Sequence, residues 1–142
     1  MQVRIKRVDA TLPLPQYQTA GAAAFDLYSR IDTVMEPKIP KLLPTNLIIE
    51  VPPGHVLILS ARSSTMKRGL ALRNAIGVID QDFHGPEDEV FLPVYNFTDA
   101  PVKIKRGERI AQGMIIPVER AEWQEVEKIK DDSRGGFGST GI

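Results

Sequence analysis

The chain has 142 residues, with 18 basic and 18 acidic side chains, and its formal net charge is zero. This balance excludes the strong field with which a protein attracts DNA, RNA or an anionic membrane, so we expect no nucleic acid and no membrane among its partners. The absence of cysteine excludes disulfides and thiolate chemistry, and two isolated histidines do not indicate a zinc site. The length corresponds to one domain without a membrane span or a signal peptide, and we expect a cytoplasmic protein.

The first half of the chain is predicted to form short strands. Alternating apolar residues fit a half-buried N-terminal strand at Val3, Ile5 and Val8. Residues 47–51 and 55–60 are rich in Val, Ile and Leu, and they flank a Pro-Pro-Gly turn. Two such runs across a Pro/Gly turn indicate either a hairpin or a sharp corner.

The second half is predicted to add one helix and further strands. Residues 64–68 form a short helix, opened by hydroxyl residues that can cap it and stopped by Gly69. Residues 102–105 and 110–118 indicate strands, whereas residues 123–129 fit a helix or a strand equally well. Short strands broken by 11 prolines and 11 glycines favour an all-β sandwich, jelly roll or barrel.

One candidate anion site follows residue 60. Arg62, Ser63 and Ser64 stand at the start of the predicted helix, where free backbone NH groups and the helix dipole favour an anion. Capping of the helix explains the serines equally well. Gln112, which follows a turn, could donate to a phosphate, but a solvated strand edge explains it as well.

A second candidate site is the stretch from Asn74 to Asp82. Asp80 and Asp82 lie two residues apart, so an extended chain places both carboxylates on one side. Such a pair could bind a hard cation or supply a general base, and its structural alternative is an Asx-turn. Asn74 carries an amide that can both donate and accept, as recognition of a uracil edge requires. Gly77 permits close approach of the backbone to a ligand.

The C-terminal stretch "RGGFGSTGI" has four glycines in nine residues. Ordering it would cost about 1–2 kcal/mol per residue in backbone entropy, so one interpretation is a frayed terminus. The other interpretation rests on its chemistry. A guanidinium, free NH groups and two hydroxyls suit a polyphosphate, and a single aromatic ring suits a nucleobase.

The order of these stretches resembles that of a known family. The chain carries, in sequence, "AGAAAFDLYS" (20–29), "ARSSTMKRGLAL" (61–72), "NAIGVIDQDFHG" (74–85), "GERIAQGMIIP" (107–117) and "RGGFGSTG" (134–141). These resemble the five ordered motifs of the trimeric dUTPases, and "LLPTNLIIEVPPGH" (42–55) resembles the family's segment before its second motif. The resemblance runs from about residue 20 to the end of the chain and implies a jelly-roll homotrimer whose active sites are shared between subunits.

The resemblance implies one substrate and a role for each matched residue. It implies that dUTP and water become dUMP and pyrophosphate, with Mg²⁺ bridging the phosphates and Asp80 activating the water. The implied phosphate ligands are Arg62, Ser63, Ser64 and Gln112. Residues implied to contact the uracil and the deoxyribose are Asn74, Gly77, Val78, Ile79 and Phe83. Asp26 and Asp82 are given supporting roles.

The resemblance also implies a role for the C-terminal stretch. Residues 1–132 are implied to form the domain, and residues 133–142 an arm that closes over another subunit's site. In this assignment Phe137 stacks on the uracil, Arg134, Ser139 and Thr140 hold the phosphates, and Gly138 also binds the substrate.

Four departures from the family pattern stand out. Phe83 occupies a position where tyrosine is usual, and Asn46 replaces a glycine, which is tolerable because Asn adopts left-handed backbone angles readily. The last motif is about two residues shorter than usual before Phe137, which affects the placement of Arg134. Residues 85–89 are about three residues longer than usual, and the sequence gives the acidic insertion Pro86–Glu89 no function.

Two rival functions remain on this scaffold. A dCTP deaminase needs a glutamate as proton shuttle in a strand resembling Leu-Glu-x-Tyr-Asn, where this chain has Pro93. A non-catalytic nucleotide-binding regulator would be expected to have lost Asp80 or the arm, and this chain keeps both. We therefore expect the dUTP hydrolase.

Overall fold

The computed structural model describes residues 1–136, which form eleven strands and one short helix. The elements are β1 (Ile5–Arg7), β2 (Phe25–Tyr28), β3 (Thr33–Met35), β4 (Pro40–Pro44), β5 (Leu47–Ile49), β6 (His55–Ala61), α1 (Ser63–Lys67), β7 (Leu70–Leu72), β8 (Ile76–Ile79), β9 (Phe91–Asn96), β10 (Val102–Ile104) and β11 (Arg109–Pro117). The all-β prediction is confirmed, with α1 starting at Ser63 and Gly69 following at a φ of 78°.

Two larger antiparallel sheets form the body of the domain. One has the strand order β2-β11-β6-β8, and the other has the order β4-β9-β7. The pairs β1-β5 and β3-β10 form two smaller sheets. Inward-facing residues of both larger sheets, such as Leu57, Leu59, Leu43 and Leu92, belong to one buried cluster. The sheets therefore enclose a single apolar core.

The Pro-Pro-Gly turn at residues 52–54 makes a corner rather than a hairpin. Strand β5 pairs with β1, whereas β6 pairs with β11 and β8. Gly54 adopts a φ of 72°, which glycine reaches without steric cost, and the His55 NH donates to the Pro52 carbonyl at 3.1 Å. The corner directs β6 into the sheet that carries most of the candidate residues.

Glu89, at the end of the acidic insertion, is buried and holds two parts of the chain together. Its carboxylate accepts hydrogen bonds from Arg30 Nε at 2.9 Å and Arg30 Nη2 at 2.8 Å. It also accepts one from the Asn46 backbone NH at 2.7 Å. The hydrogen bond to Glu89, and then the charge of Glu89, raise the pKa of Arg30. The insertion therefore has a structural function that sequence reasoning did not find.

Asn46 adopts the left-handed backbone expected of it, with a φ of 75°. Its side chain also makes two hydrogen bonds with the backbone of Asp9. The Asp9 backbone NH donates to Asn46 Oδ1 at 2.6 Å, and Asn46 Nδ2 donates to the Asp9 carbonyl at 3.0 Å. A glycine could adopt the same φ but could not make these two bonds.

The segment after β11 contains neither helix nor strand up to residue 136. Residues 123–129, which fit both patterns in the sequence, therefore adopt neither. Trp123 is 94% exposed and Ile129 is 95% exposed. None of the helical structure within residues 1–136 has the length and apolarity needed to cross a membrane.

Candidate active site

A buried carboxylate organises the first group of candidate residues. Asp26, on β2, is 5% exposed, and each of its oxygens binds a different arginine. Arg62 Nε forms an ion pair with Asp26 Oδ1 at 2.8 Å, and Arg109 Nη1 donates to Asp26 Oδ2 at 3.1 Å. Both guanidinium groups keep free NH groups, since each uses only part of its donors here. The arrangement holds two positive charges side by side at the edge of the sheet.

Arg62 also connects this pair to the start of α1. Its Nη1 donates to Ser64 Oγ at 3.2 Å and to the Arg109 carbonyl at 3.3 Å. Arg62 itself occupies the N-cap position and makes no side-chain capping bond, and Ser63 and Ser64 are already helical. The serines therefore do not cap α1, and both remain exposed beside the guanidinium group.

Gln112 lies in the same row across the sheet. It is the register partner of Asp26 on one side and of Ser60 on the other. Its Nε2 donates to Ser60 Oγ at 3.2 Å and to the Ala61 carbonyl at 3.3 Å. Arg62, Ser64 and Arg109 line an open cleft of about 540 Å³, together with Gln16, Gln18, Tyr28, Arg68, Gly107 and Glu108. We name the residues Asp26, Arg62, Ser64, Arg109 and Gln112 the arginine cluster.

Arg109 is the member of the arginine cluster to which sequence reasoning gives no function. Its partner Asp26 lies 83 positions away in sequence, and the two residues meet because β11 pairs with β2. A basic residue at the start of a strand is common, so no local pattern distinguishes Arg109. The signal available in the sequence is its place within "GERIAQ".

Asp80 lies in a different cleft. It follows the last residue of β8 and is exposed in a groove of about 640 Å³, also lined by His55, Val56, Ile58, Val78, Gln81, Asp82, Val118 and Arg120. The turn after Asp80 is closed by its backbone carbonyl, which accepts from the Phe83 NH at 3.3 Å. The backbone therefore closes this turn, and the carboxylates of Asp80 and Asp82 are both exposed.

The stretch before Asp80 divides its residues between two faces. Asn74 and Val78 are exposed and can meet a ligand. Gly77 is buried, and a Cβ placed on it would lie 3.0 Å from Leu59 Cδ1, so close packing is one reason for glycine here. Ile79 is half-buried and packs against the core. Any ligand contact by Gly77 must therefore come through the backbone.

The two groups of candidate residues lie far apart within one chain. Ile76 pairs with Ser60 and Ile79 pairs with Leu57, so Asp80 is level with Val56. Arg62 lies six residues further along β6 and its extension, which at about 3.3 Å per residue amounts to about 20 Å. The structure thus brings together Asp26, Arg62, Ser64 and Gln112, but it does not bring Asp80 to them.

The remaining candidates lie near or beyond the end of the described chain. Phe83 is 38% exposed close to Asp80, and Arg134 is exposed. Phe137, Gly138, Ser139 and Thr140 lie outside the described residues 1–136.

The described residues form an all-β protein in which two arginines line an open cleft. A family model described as dUTPase matches residues 10–141. The deoxyuridine 5'-triphosphate nucleotidohydrolase of Dictyoglomus turgidum is 41% identical, covering 100% of this chain and 99% of the relative. That of Methylocella silvestris is 43% identical, covering 99% of this chain and 92% of the relative.

Solved structures agree with this match. The crystal structure of a dUTPase from Streptococcus mutans superimposes with a TM-score of 0.77 at 32% identity, covering 84% of this chain and 98% of that chain. A mutant dUTPase of Staphylococcus bacteriophage 80alpha, with dUpNHpp, gives a TM-score of 0.87 at 23% identity and covers 99% of both chains. The chain therefore belongs to the dUTPase family and has that family's jelly-roll-like fold. The predictions of this family and of a hydrolase are confirmed.

Proposed function

We propose that this protein hydrolyses dUTP to dUMP and pyrophosphate through attack of water on the α-phosphate. The observation that carries the proposal is the arginine cluster, in which one buried carboxylate holds two guanidinium groups beside a serine and a glutamine. The relatives support dUTP as the substrate, because those of 41% and 43% identity are named deoxyuridine 5'-triphosphate nucleotidohydrolases.

The arginine cluster suits the β- and γ-phosphates. Guanidinium groups bind phosphate oxygens through paired, charge-assisted hydrogen bonds, which are stronger than neutral ones. Asp26 fixes Arg62 and Arg109 in place before the substrate binds, so little side-chain entropy is lost on binding. Ser63 and Ser64 are exposed beside them and can add hydroxyl donors.

The residues present fit Mg²⁺ that arrives on the substrate. Within residues 1–136, no three His, Cys, Asp or Glu side chains are gathered as a metal cage requires. Asp26 is a single carboxylate placed among phosphate-binding groups, and Mg²⁺ is usually held by one or two carboxylates plus substrate phosphates. In this arrangement Asp26 would hold the two arginines beside the phosphates, and the ion would neutralise phosphate charge.

Asp80 is the proposed general base. It is exposed, it lies in a groove large enough for a nucleoside, and its carboxylate is free of the turn that follows it. An ionised carboxylate within reach of a water molecule can accept its proton as the water attacks phosphorus. Asp82 lines the same groove and supports Asp80. Asn74, with the Gly77, Val78 and Ile79 backbone, would read the uracil, and Phe83 would pack on the sugar.

Because about 20 Å separates Asp80 from Arg62 within one chain, we propose that one active site uses residues of different subunits in a homotrimer. A partly exposed apolar row supports this assembly. Met114, Ile58 and Val78 are register partners across the outward face of the four-stranded sheet, between the arginine cluster and Asp80. Val78 is 56% exposed, and Ile76 beside it is 52% exposed. A neighbouring subunit would cover this row and bring its own arginine cluster near Asp80.

The arm remains part of the proposal. Arg134 and the residues after it would close over the site, with Phe137 stacked on uracil and with Gly138, Ser139 and Thr140 at the phosphates. A cytoplasmic location also stays a prediction.

The test is incubation with each dNTP in the presence of Mg²⁺, followed by chromatographic identification of products. The proposal expects dUMP and pyrophosphate from dUTP, and no deamination of dCTP. The Asp80→Asn variant should lose roughly 10²- to 10⁴-fold in kcat while still binding dUpNHpp. Asp82→Asn serves as the matched control, and a larger loss of kcat in that variant would reverse the assignment of the base.

A further inference from the structure

We infer that Gln81 is a positioning residue for Asp80, an inference that rests on the proposed function. Gln81 is half-buried and stands directly after Asp80. Its Nε2 donates to the His55 backbone carbonyl at 3.2 Å. His55 is the first residue of β6, so this bond joins the loop after β8 to the strand beside it.

The bond lies where the regular pairing of the two strands stops. The last register pair of β8 with β6 is Ile79 with Leu57. Two residues further on, the Gln81 side chain reaches the carbonyl of His55, which is where the next ladder contact of an antiparallel pair would fall. The Gln81 side chain thus joins the chain after β8 to β6 at the point where backbone pairing has ended.

His55, whose carbonyl accepts the bond from Gln81, is itself held in place by several contacts. The His55 NH donates to the Pro52 carbonyl at 3.1 Å, and His55 Nδ1 lies 2.9 Å from the Pro53 carbonyl. His55 also pairs with Pro117 of β11, and the Val118 NH donates to the Gly54 carbonyl at 2.9 Å. The His55 carbonyl is therefore a rigid anchor rather than part of a mobile loop.

Asp80 lies between two fixed points as a result. On one side is the β6-β8 ladder, and on the other is the Gln81 bond, followed by the turn bond from the Phe83 NH to the Asp80 carbonyl at 3.3 Å. Because the Asp80 side chain is exposed, neighbouring side chains do little to fix its position. Its carboxylate can be aimed only through its backbone. An error of about 1 Å in such a group can cost about 100-fold in rate.

Gln81→Met tests this directly, because methionine has a similar length and no donor. We expect kcat to fall roughly five- to twentyfold, with KM and the affinity for dUpNHpp unchanged, since no proposed substrate contact is removed. Gln81→Lys restores a donor of sufficient reach and should recover most of kcat. Gln2→Met, at an exposed position near the N-terminus, is the matched control and should equal the wild type.

Amide hydrogen exchange separates this inference from the proposed function. Exchange at residues 80–83 should be faster in Gln81→Met than in the wild type and should return toward the wild-type rate in Gln81→Lys. If the wild type fails to hydrolyse dUTP, the proposed function is wrong, and exchange still tests the Gln81 link. Unchanged kcat or unchanged exchange in Gln81→Met overturns the inference. A fall in kcat that is equally large in Gln81→Lys also overturns it.

Discussion

Removing the Glu89 carboxylate should destabilise the protein far more than removing a neighbouring acid of the same insertion. Glu89 accepts three hydrogen bonds, two from Arg30 and one from the buried Asn46 NH. In Glu89→Ala, the Asn46 NH loses its acceptor and the guanidinium group, with 29% of its side chain exposed, loses its counter-charge.

The size of the effect follows from this burial. Breaking a buried ion pair by removing one partner costs about 3–5 kcal/mol. Because water still reaches part of Arg30, we expect the lower end, about 3 kcal/mol. At roughly 3 °C per kcal/mol for a domain of this size, Tm should fall by about 10 °C. The Arg30→Met/Glu89→Met double variant should lose less than Glu89→Met alone, because it leaves no uncompensated charge.

Glu87→Ala is the control. Glu87 is exposed, and the contact it makes in this loop is its backbone carbonyl, which accepts from the Glu89 NH at 2.8 Å. The change should alter stability by at most about 0.5 kcal/mol. Thermal unfolding should be followed at one protein concentration, because the Tm of an oligomer depends on concentration. A Tm for Glu89→Ala within about 2 °C of that for Glu87→Ala would show that the Glu89 carboxylate does not stabilise the fold as described.

Three further outcomes are expected. Asp26→Asn should raise the KM for dUTP about tenfold or more, because Arg62 loses a charged partner, whereas exposed Asp99→Asn should leave KM unchanged. Hydrogen bonds from Thr11, and then from Arg106, lower the pKa of Asp9 in the folded protein. The ionised Asp9 side chain therefore stabilises the fold at pH values above the pKa of an unfolded aspartate, about 3.9, and this stabilisation is lost as the pH falls below that value. The Tm deficit of Asp9→Asn should therefore shrink between pH 7 and pH 3, and a constant deficit would contradict this. Deleting residues 133–142 should lower kcat/KM severely with little change in Tm. A fully active truncated protein would show that catalysis does not require the arm.

The sequence predicted the elements whose patterns are local. The apolar run of β6 and the long β11 are visible in sequence, and so is α1 with the glycine that stops it. Strand β4 carries a proline at each end, and β9 carries Pro93 in its interior, a residue that sequence rules associate with strand edges. Such short strands are specified by pairing across the sheet, and a single sequence does not display that pairing.

In the candidate site too, the sequence identifies residues in local motifs and does not reveal contacts between distant residues. Arg62, Gln112 and Asp80 could be found because their motifs are short and ordered along the chain. The ion pair of Arg109 with Asp26 could not, because it joins residues 83 positions apart. The contact of Glu89 with Arg30 joins residues 59 positions apart and was missed for the same reason. Contacts of this length depend on which strands become neighbours.

Sharing of a site between subunits is tested by complementation between two inactive variants. Asp80→Asn and Arg62→Ala are unfolded together, mixed in equal amounts, refolded and assayed for pyrophosphate release from dUTP. If a site takes Asp80 from one subunit and Arg62 from another, random mixing in a closed ring makes about a quarter of the sites intact. We expect recovery to about a quarter of wild-type activity per site, from two parents that are each nearly inactive. A mixture no more active than its parents would show that both residues act within one chain.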